Sequence, residues 1–319
     1  MNRQADITIL DRLAQRLGVG IRNGRLDIPP SYGHGYCEGY VLNPQLRIMI
    51  FNYELNDAFE LENPEVKDSD RRILFKLQHI FPGRKKQNRL VEQPSVLIAT
   101  STLHSEEAIT IHSNQAVINI EAEADYLQEM FRSTSPSAVL QNLFQNTQPL
   151  LFEQLFFPAL QKVGEELLEV STVPPDFKLL LMRIKTEELL CRLMMELEKR
   201  DDTKLYPLNN RDIEKLYQIR GQILSRLNTQ PRISDLSEQA NMSPTKLKRL
   251  FKQIFGDSVF SYYQYFRMQE AARLLREENL SVSETGYQLG FSNLSHFTRV
   301  FEVHIGMKPK QYSKKISRG

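Results

Sequence analysis

Residues 233–256 read ISDLSEQANMSPTKLKRLFKQIFG, and residues 282–306 read VSETGYQLGFSNLSHFTRVFEVHIG. From the turn onward the two align without a gap: Ser243 with Asn293, Leu247 with Phe297, Arg249 with Arg299, Phe251 with Phe301 and Gly256 with Gly306. Each copy reads as a short helix, a tight turn and a second helix that stops at glycine. That is the build of a helix-turn-helix reader of the DNA major groove. Two units in one chain predict two neighbouring grooves read together.

In the first copy Asn241 falls in the turn, where a left-handed backbone suits it better than most residues. Ser243 is a good N-cap, and Pro244 fits the first helical position, where its missing N–H costs nothing. Leu247, Leu250, Phe251, Ile254 and Phe255 recur at helical spacing as a core face. The opposite face holds Thr245, Lys246, Lys248, Arg249 and Lys252, whose cations favour phosphate neutralisation and base-edge contact. In the second copy Gly290 takes the turn and Asn293 the cap position. Leu294, Phe297, Val300, Phe301 and Ile305 face inward, and Ser295, His296 and Arg299 face outward. Arginine bonds guanine O6 and N7 together, so Arg249 and Arg299 are the base-reading candidates, with a phosphate contact or an ion pair as the competing role. His296 suits phosphate or sugar, and His304 reads as an ordinary helix-surface residue. Residues 262–279, YYQYFRMQEAARLLREEN, carry an apolar stripe of Tyr263, Phe266, Ala271, Leu274 and Leu275. As a helix they span about 27 Å, in the range needed to hold two readers near one DNA turn, about 34 Å, apart.

Charge divides along the chain. From Asn209 onward there are 18 Lys and Arg against 10 Asp and Glu, while the preceding residues hold 23 against 29. A basic C-terminal piece joined to an acidic one predicts that the former meets polyanions. Two cysteines, Cys37 and Cys191, are too few for a disulfide scaffold or a cysteine zinc site and read as thiols in a reducing cytosol. No apolar run approaches 18 residues and the first residues are charged and amphipathic, so a cytoplasmic protein with no membrane partner is expected.

The N-terminal texture is different. Strands are predicted over 39–42, 46–54, 72–79, 95–101, 108–112 and 116–120, suggesting a sandwich or small barrel. Helices are predicted over 123–131, 138–145, 152–170 and 177–199. In the last, Leu189, Leu190, Leu193 and Leu197 form an apolar stripe that suits either core or a dimer seam. The expected organisation is a β-rich domain over 1–122, a helical segment over 123–200, a polar linker over 201–208 and the paired readers over 209–319. The segment GRKKQNR at 83–89 reads as a charged loop rather than a nucleic-acid arm.

Residues 209–319 resemble the DNA-binding domain of AraC/XylS-type bacterial transcription regulators. The marks are Leu236, Ala240, the run MSPTKLKRLFKQIFG through Gly256, and the Tyr263, Arg267, Ala271, Leu274-Leu275 spacing. GFSNLSHFTRVF at 290–301 and the ending Gly306-Met307-Lys308-Pro309 with Tyr312 complete the match. The resemblance carries base contact onto Thr245, Lys248 and Arg249 in the first reader and onto Asn293, Ser295, His296 and Arg299 in the second. Thr285-Gly286 stands where Ile-Ala is usual, which is expected to loosen the second unit; Glu302 and Ser313 replace common cations. The resemblance implies a multidomain α+β protein: a cupin-like N-terminal sensor with helices that dimerise, and a C-terminal all-α double helix-turn-helix domain. It further implies an activator that binds promoter DNA, RNA polymerase and a small-molecule effector and forms a homodimer. The helical segments are also similar to regulators related to siderophore sensors.

Other classes fit less well. His34, His79, His104 and His112 lie in the β-rich region without compact ligand spacing, so no metal is expected. No phosphate loop, nucleophile elbow or carboxylate pair points to catalysis, and no cofactor is expected. The stretch SYGHGYCEGY at 31–40 offers Tyr32, Tyr36 and Tyr40 as an effector-pocket rim or as tyrosines tucked onto the sheet. An N-terminal domain that only dimerises or binds a protein partner is the alternative.

Overall fold

Strand side chains in the N-terminal part alternate between two buried faces, and this alternation organises the first of two units. The computed structural model describes residues 8–62, 71–81, 93–103, 108–111, 114–132, 136–170, 173–200 and 204–316. They divide into two compact units at Asn209 and Asn210.

The first unit begins with α1 (Thr8–Leu17), β1 (Arg25–Asp27), β2 (Gly33–Asn43), β3 (Leu46–Leu55), β4 (Phe59–Glu62), β5 (Arg72–Gln78), β6 (Ser95–Ala99), β7 (Ala108–Ile111) and β8 (Asn114–Glu123). It continues with α2 (Ala124–Met130), α3 (Ala138–Gln145), β9 (Leu151–Leu155), α4 (Pro158–Glu169) and α5 (Pro175–Glu198). Seven strands form one antiparallel sheet in the order β1-β2-β3-β8-β5-β6-β9, and β4 pairs with β7. Ile73, Phe75 and Leu77 of β5 join Val96, Ile98, Ile118 and Ile120 in a core shared with Leu127, Leu143, Leu160 and Leu193 of the helices. On the opposite face Cys37, Met49, Phe51 and Tyr53 pack with Leu10, Leu13 and Leu17 of α1. Burying an apolar side chain is worth about 1.5–3 kcal/mol, so each face is held by several such terms.

Four expectations need correction or refinement. The helix expected from 152 starts at Pro158, because Leu151–Leu155 pairs with β6 as an edge strand. An apolar run of that length fits either state, and the proline at the first helical position marks the true start. The strand order runs open from β1 to β9; among the described residues no ladder joins its ends into a barrel. Leu189, Leu190, Leu193 and Leu197 are fully buried in the core, and α5 instead exposes Phe177, Leu180, Ile184 and Met195 on its outer side. The expected linker is partly folded: Leu205 joins the first unit's core and the Leu208 N–H donates to the Pro149 carbonyl at 2.8 Å. The stretch 83–89, His104 and His112 lie outside the described residues.

The second unit is all helical: α6 (Asn210–Ser225), α7 (Ile233–Ala240), α8 (Pro244–Phe255), α9 (Val259–Glu277), α10 (Val282–Gln288), α11 (Leu294–Ile305) and α12 (Pro309–Ile316). The long α9 packs against α6, α8, α10, α11 and α12. It starts earlier than its apolar stripe suggested because the Ser258 side chain caps it, accepting from the Ser261 N–H at 3.1 Å. No helix among the described residues is long and apolar enough to cross a membrane.

Candidate nucleic-acid interface

The local geometry repeats between the two helix-turn-helix units at an offset of fifty residues. Ser243 caps α8 by accepting from the Lys246 N–H at 3.2 Å, and Asn293 caps α11 by accepting from the His296 N–H at 3.0 Å. Gly256 and Gly306 end these helices in the left-handed region at φ 82° and 81°, their N–H groups bonded to the Lys252 and Glu302 carbonyls. Phe251 meets Tyr262 edge-on at 5.4 Å, and Phe301 meets Tyr312 edge-on at 5.6 Å. The turns differ: Asn241 sits at φ 49°, and Gly290 at φ 77°.

The buried faces follow the periodicity. Leu247, Leu250, Phe251, Ile254 and Phe255 of α8 are buried, as are Phe297 and Phe301 of α11. Leu294, Val300 and Ile305 are half-buried, because α11 is covered less completely than α8. Outward lie Thr245, Lys248 and Arg249 on α8, with Lys252 half-exposed, and Asn293, Ser295, His296 and Arg299 on the second unit. Lys246 departs from this set. Its Nζ lies 3.0 and 2.9 Å from the two carboxylate oxygens of the buried Asp212 on α6, so it ties α8 to α6.

Periodicity alone did not reveal what holds the second turn. Arg267 of α9 is buried, and its Nε donates to the Leu289 carbonyl at 3.0 Å while the guanidinium lies 3.7 Å from the centre of the Phe291 ring. Burial pulls its pKa below the ordinary guanidinium value. The family pattern contained Arg267 but assigned it no task; here it satisfies a helix-end carbonyl and props the turn. On α6 the buried Arg220 donates to the Tyr262 hydroxyl at 2.8 Å.

The Thr285-Gly286 pair does not loosen the second unit. A Cβ at Gly286 would lie 2.7 Å from Leu294 Cδ2 and 3.3 Å from Phe297 Cδ1, so α11 closes over the glycine. Thr285 is fully buried and its Oγ1 has no hydrogen-bond partner. Thr285→Val keeps the shape and removes the orphan hydroxyl, and is expected to stabilise the protein by about 1 kcal/mol. A urea midpoint at or below that of the parent chain would count against this account.

The tyrosines proposed as an effector rim have internal partners. The Tyr36 ring lies under the Arg25 guanidinium at 3.9 Å. The Tyr40 hydroxyl bonds the buried Glu38 at 3.0 Å and Lys178 of α5 at 2.8 Å, and Arg25 reaches Glu38 at 2.8 Å. These contacts tie β1, β2 and α5 together, and Tyr32 stands apart on the surface. His34 lies on the surface 3.6 Å from Glu54, and among the described residues no three potential ligands gather as a metal site.

These paired units form a double helix-turn-helix domain. Residues 236–315 match the family model described as "Helix-turn-helix domain". Over 85 residues the chain is 34% identical to an uncharacterized HTH-type transcriptional regulator of Haemophilus influenzae, covering 27% of this chain and 28% of that protein. Over 81 residues it is 30% identical to the probable transcription factor PqrA of Proteus vulgaris, covering 25% of this chain and 66% of that one. A transcriptional regulator from Chromobacterium violaceum, described among AraC-type DNA-binding domain-containing proteins, shares 24% identity, with a TM-score of 0.32 over 34% of this chain and 98% of that one. The chain thus spans less than two thirds of the length of these curated relatives. Its C-terminal unit is an AraC-type helix-turn-helix domain.

Proposed function

We propose that the chain is a sequence-specific DNA-binding transcription regulator in which α8 and α11 enter successive major grooves. The observation that carries this reading is the repeated cap, aromatic pair and terminal glycine, which leave one face of each second helix outward. Lys248 and Lys252 supply phosphate neutralisation, and Arg249 and Arg299 supply base readout, helped by Thr245, Asn293, Ser295 and His296. Lys246 contributes by fixing α8 through Asp212 rather than by reading DNA. The test is selection of bound sequences by the full-length protein across a salt series. Two enriched blocks about one helical turn apart are expected. A single block would reject tandem reading, and binding without any motif would reject sequence specificity.

The first unit is assigned the response to a small-molecule effector, which shifts the population of DNA-competent states. A homodimer is favoured by the outer side of α5. Phe177, Leu180, Ile184 and Met195 are 63%, 60%, 48% and 60% exposed there, an unusual density of large apolar groups for one helix. Leu180→Asp with Ile184→Asp is expected to leave the helical signal unchanged, since neither residue is in the core, and to convert dimer to monomer in sedimentation. An unchanged mass would reject this seam.

A further inference from the structure

On the sheet face opposite the helices, register sets a row of neighbours across the first unit. Met49 of β3 stands beside Asn119 of β8, Asn119 beside Lys76 of β5, Lys76 beside Leu97 of β6, and Leu97 beside Glu153 of β9. Their sequence neighbours Phe75, Leu77, Val96, Ile98, Ile118 and Ile120 point into the helix-side core, so strand alternation places this row on the other face. At Met49 that face is sealed by α1, whereas Asn119, Lys76 and Leu97 are only half-buried.

Several other polar groups on this face are paired with one another. Arg47 pairs with Glu121 at 2.6 Å, Arg72 with Glu123 at 3.7 Å, and Gln78 donates to Ser95 at 3.0 Å. Among the described residues Lys76 finds no hydrogen-bond or ion-pair partner, and burial pulls its pKa down with no neighbouring charge to offset the effect. Next to it, Asn119 Oδ1 is buried without a donor. Directly paired residues on one face have Cβ atoms about 5 Å apart, so one small molecule can meet both. Among the described residues this ammonium and this amide oxygen stand side by side without an answering group, which costs stability, and an occupant that answers both recovers it.

We propose that this row binds a small organic anion bearing a hydroxyl or N–H donor beside its acid group. The acid pairs with Lys76, the adjacent donor bonds Asn119 Oδ1, and the carbon body lies over Leu74 and Leu97. Glu153, 4% exposed at the far end, selects against a second acid group. The site names the class of effector for the first unit and so rests on the effector-responsive reading above.

The test uses full-length protein and two matched acid pairs, lactate with propionate and 2-hydroxybenzoate with benzoate, each at about 10 mM in thermal unfolding. At least one hydroxy acid is expected to raise the melting temperature more than its plain partner. Lys76→Met is expected to melt higher than the parent chain without ligand and to bind the acid at least about tenfold more weakly. Asn119→Leu is expected to lose the preference for the hydroxy member. No shift with any of the four acids, or a shift that survives Lys76→Met, overturns the site. DNA affinity measured on the same samples separates the two readings. Acid binding that leaves DNA affinity unchanged keeps the site and overturns the effector response; unaltered DNA binding with no acid binding overturns the site alone.

Discussion

Gly290→Ala is expected to destabilise the second helix-turn-helix unit by roughly 3–5 kcal/mol, enough to unfold it locally. Two costs add. The residue sits at φ 77°, where an L side chain is strained, and its Cβ would overlap the Asn228 carbonyl oxygen and lie 3.1 Å from the carbonyl carbon. Those are backbone atoms, so no rotamer change relieves the overlap. Relief requires moving either the segment between α6 and α7 or the turn itself. The turn has little freedom, because the Phe291 N–H bonds the Gly286 carbonyl at 2.9 Å and Arg267 grips Leu289 from below.

Gly306 provides the control. It has nearly the same conformation, φ 81°, but a Cβ there would meet nothing within 4 Å. Gly306→Ala is therefore expected to cost only the backbone term, about 1 kcal/mol. Urea unfolding followed by helical signal measures both. Equal losses would show that strain alone matters at Gly290 and that the contact with Asn228 is not what constrains the turn. The contrast also bears on function: the Asn228 contact links the second reader's turn to the lead-in of the first, within one domain.

The second unit was legible in the sequence because its determinants are local. A cap such as Ser243, a terminal glycine such as Gly256 and apolar residues at helical spacing declare themselves within one or two turns, and repetition confirms them. Strands β2, β3 and β5 to β8 were visible for a similar reason, since turns and alternation bracket them, whereas β4, paired with the distant β7, was not. What failed depended on distant partners. β9 is an apolar run whose strand state comes from pairing with β6, not from its own pattern. The leucines of α5 could not be sorted into core and outer face because this helix is apolar on both sides, and only packing against the sheet decides. Lys246 looked like its cationic neighbours until Asp212, thirty-four residues earlier, claimed it. Tyr36 and Tyr40 could be read as a rim or as tyrosines tucked onto the sheet, because their contacts with Arg25, Glu38 and Lys178 come from other elements or from cross-strand geometry. Short-range chemistry was readable, and pairings across the chain were not.

The readers themselves supply the second large effect. Arg249→Ala and Arg299→Ala are each expected to weaken specific DNA binding by about 1–3 kcal/mol, about fivefold to more than a hundredfold, while non-specific binding falls much less. Both side chains are exposed at equivalent places on α8 and α11, so the melting temperature should hardly move. Lys248→Ala is the comparison: removing a cation that faces phosphate lowers all binding together and reduces the salt slope by about 1. Binding to selected and to random duplexes, each over a salt series, distinguishes the two roles. The outcome for Arg299 carries more information than that for Arg249. Glu302 lies one turn further along α11, exposed, where the resemblance has a cation. Its negative charge disfavours phosphate approach at that end and leaves Arg299 to hold the second reader in its groove. If Arg299→Ala instead lowers both kinds of binding equally, α11 touches only the backbone and α8 carries the specificity by itself.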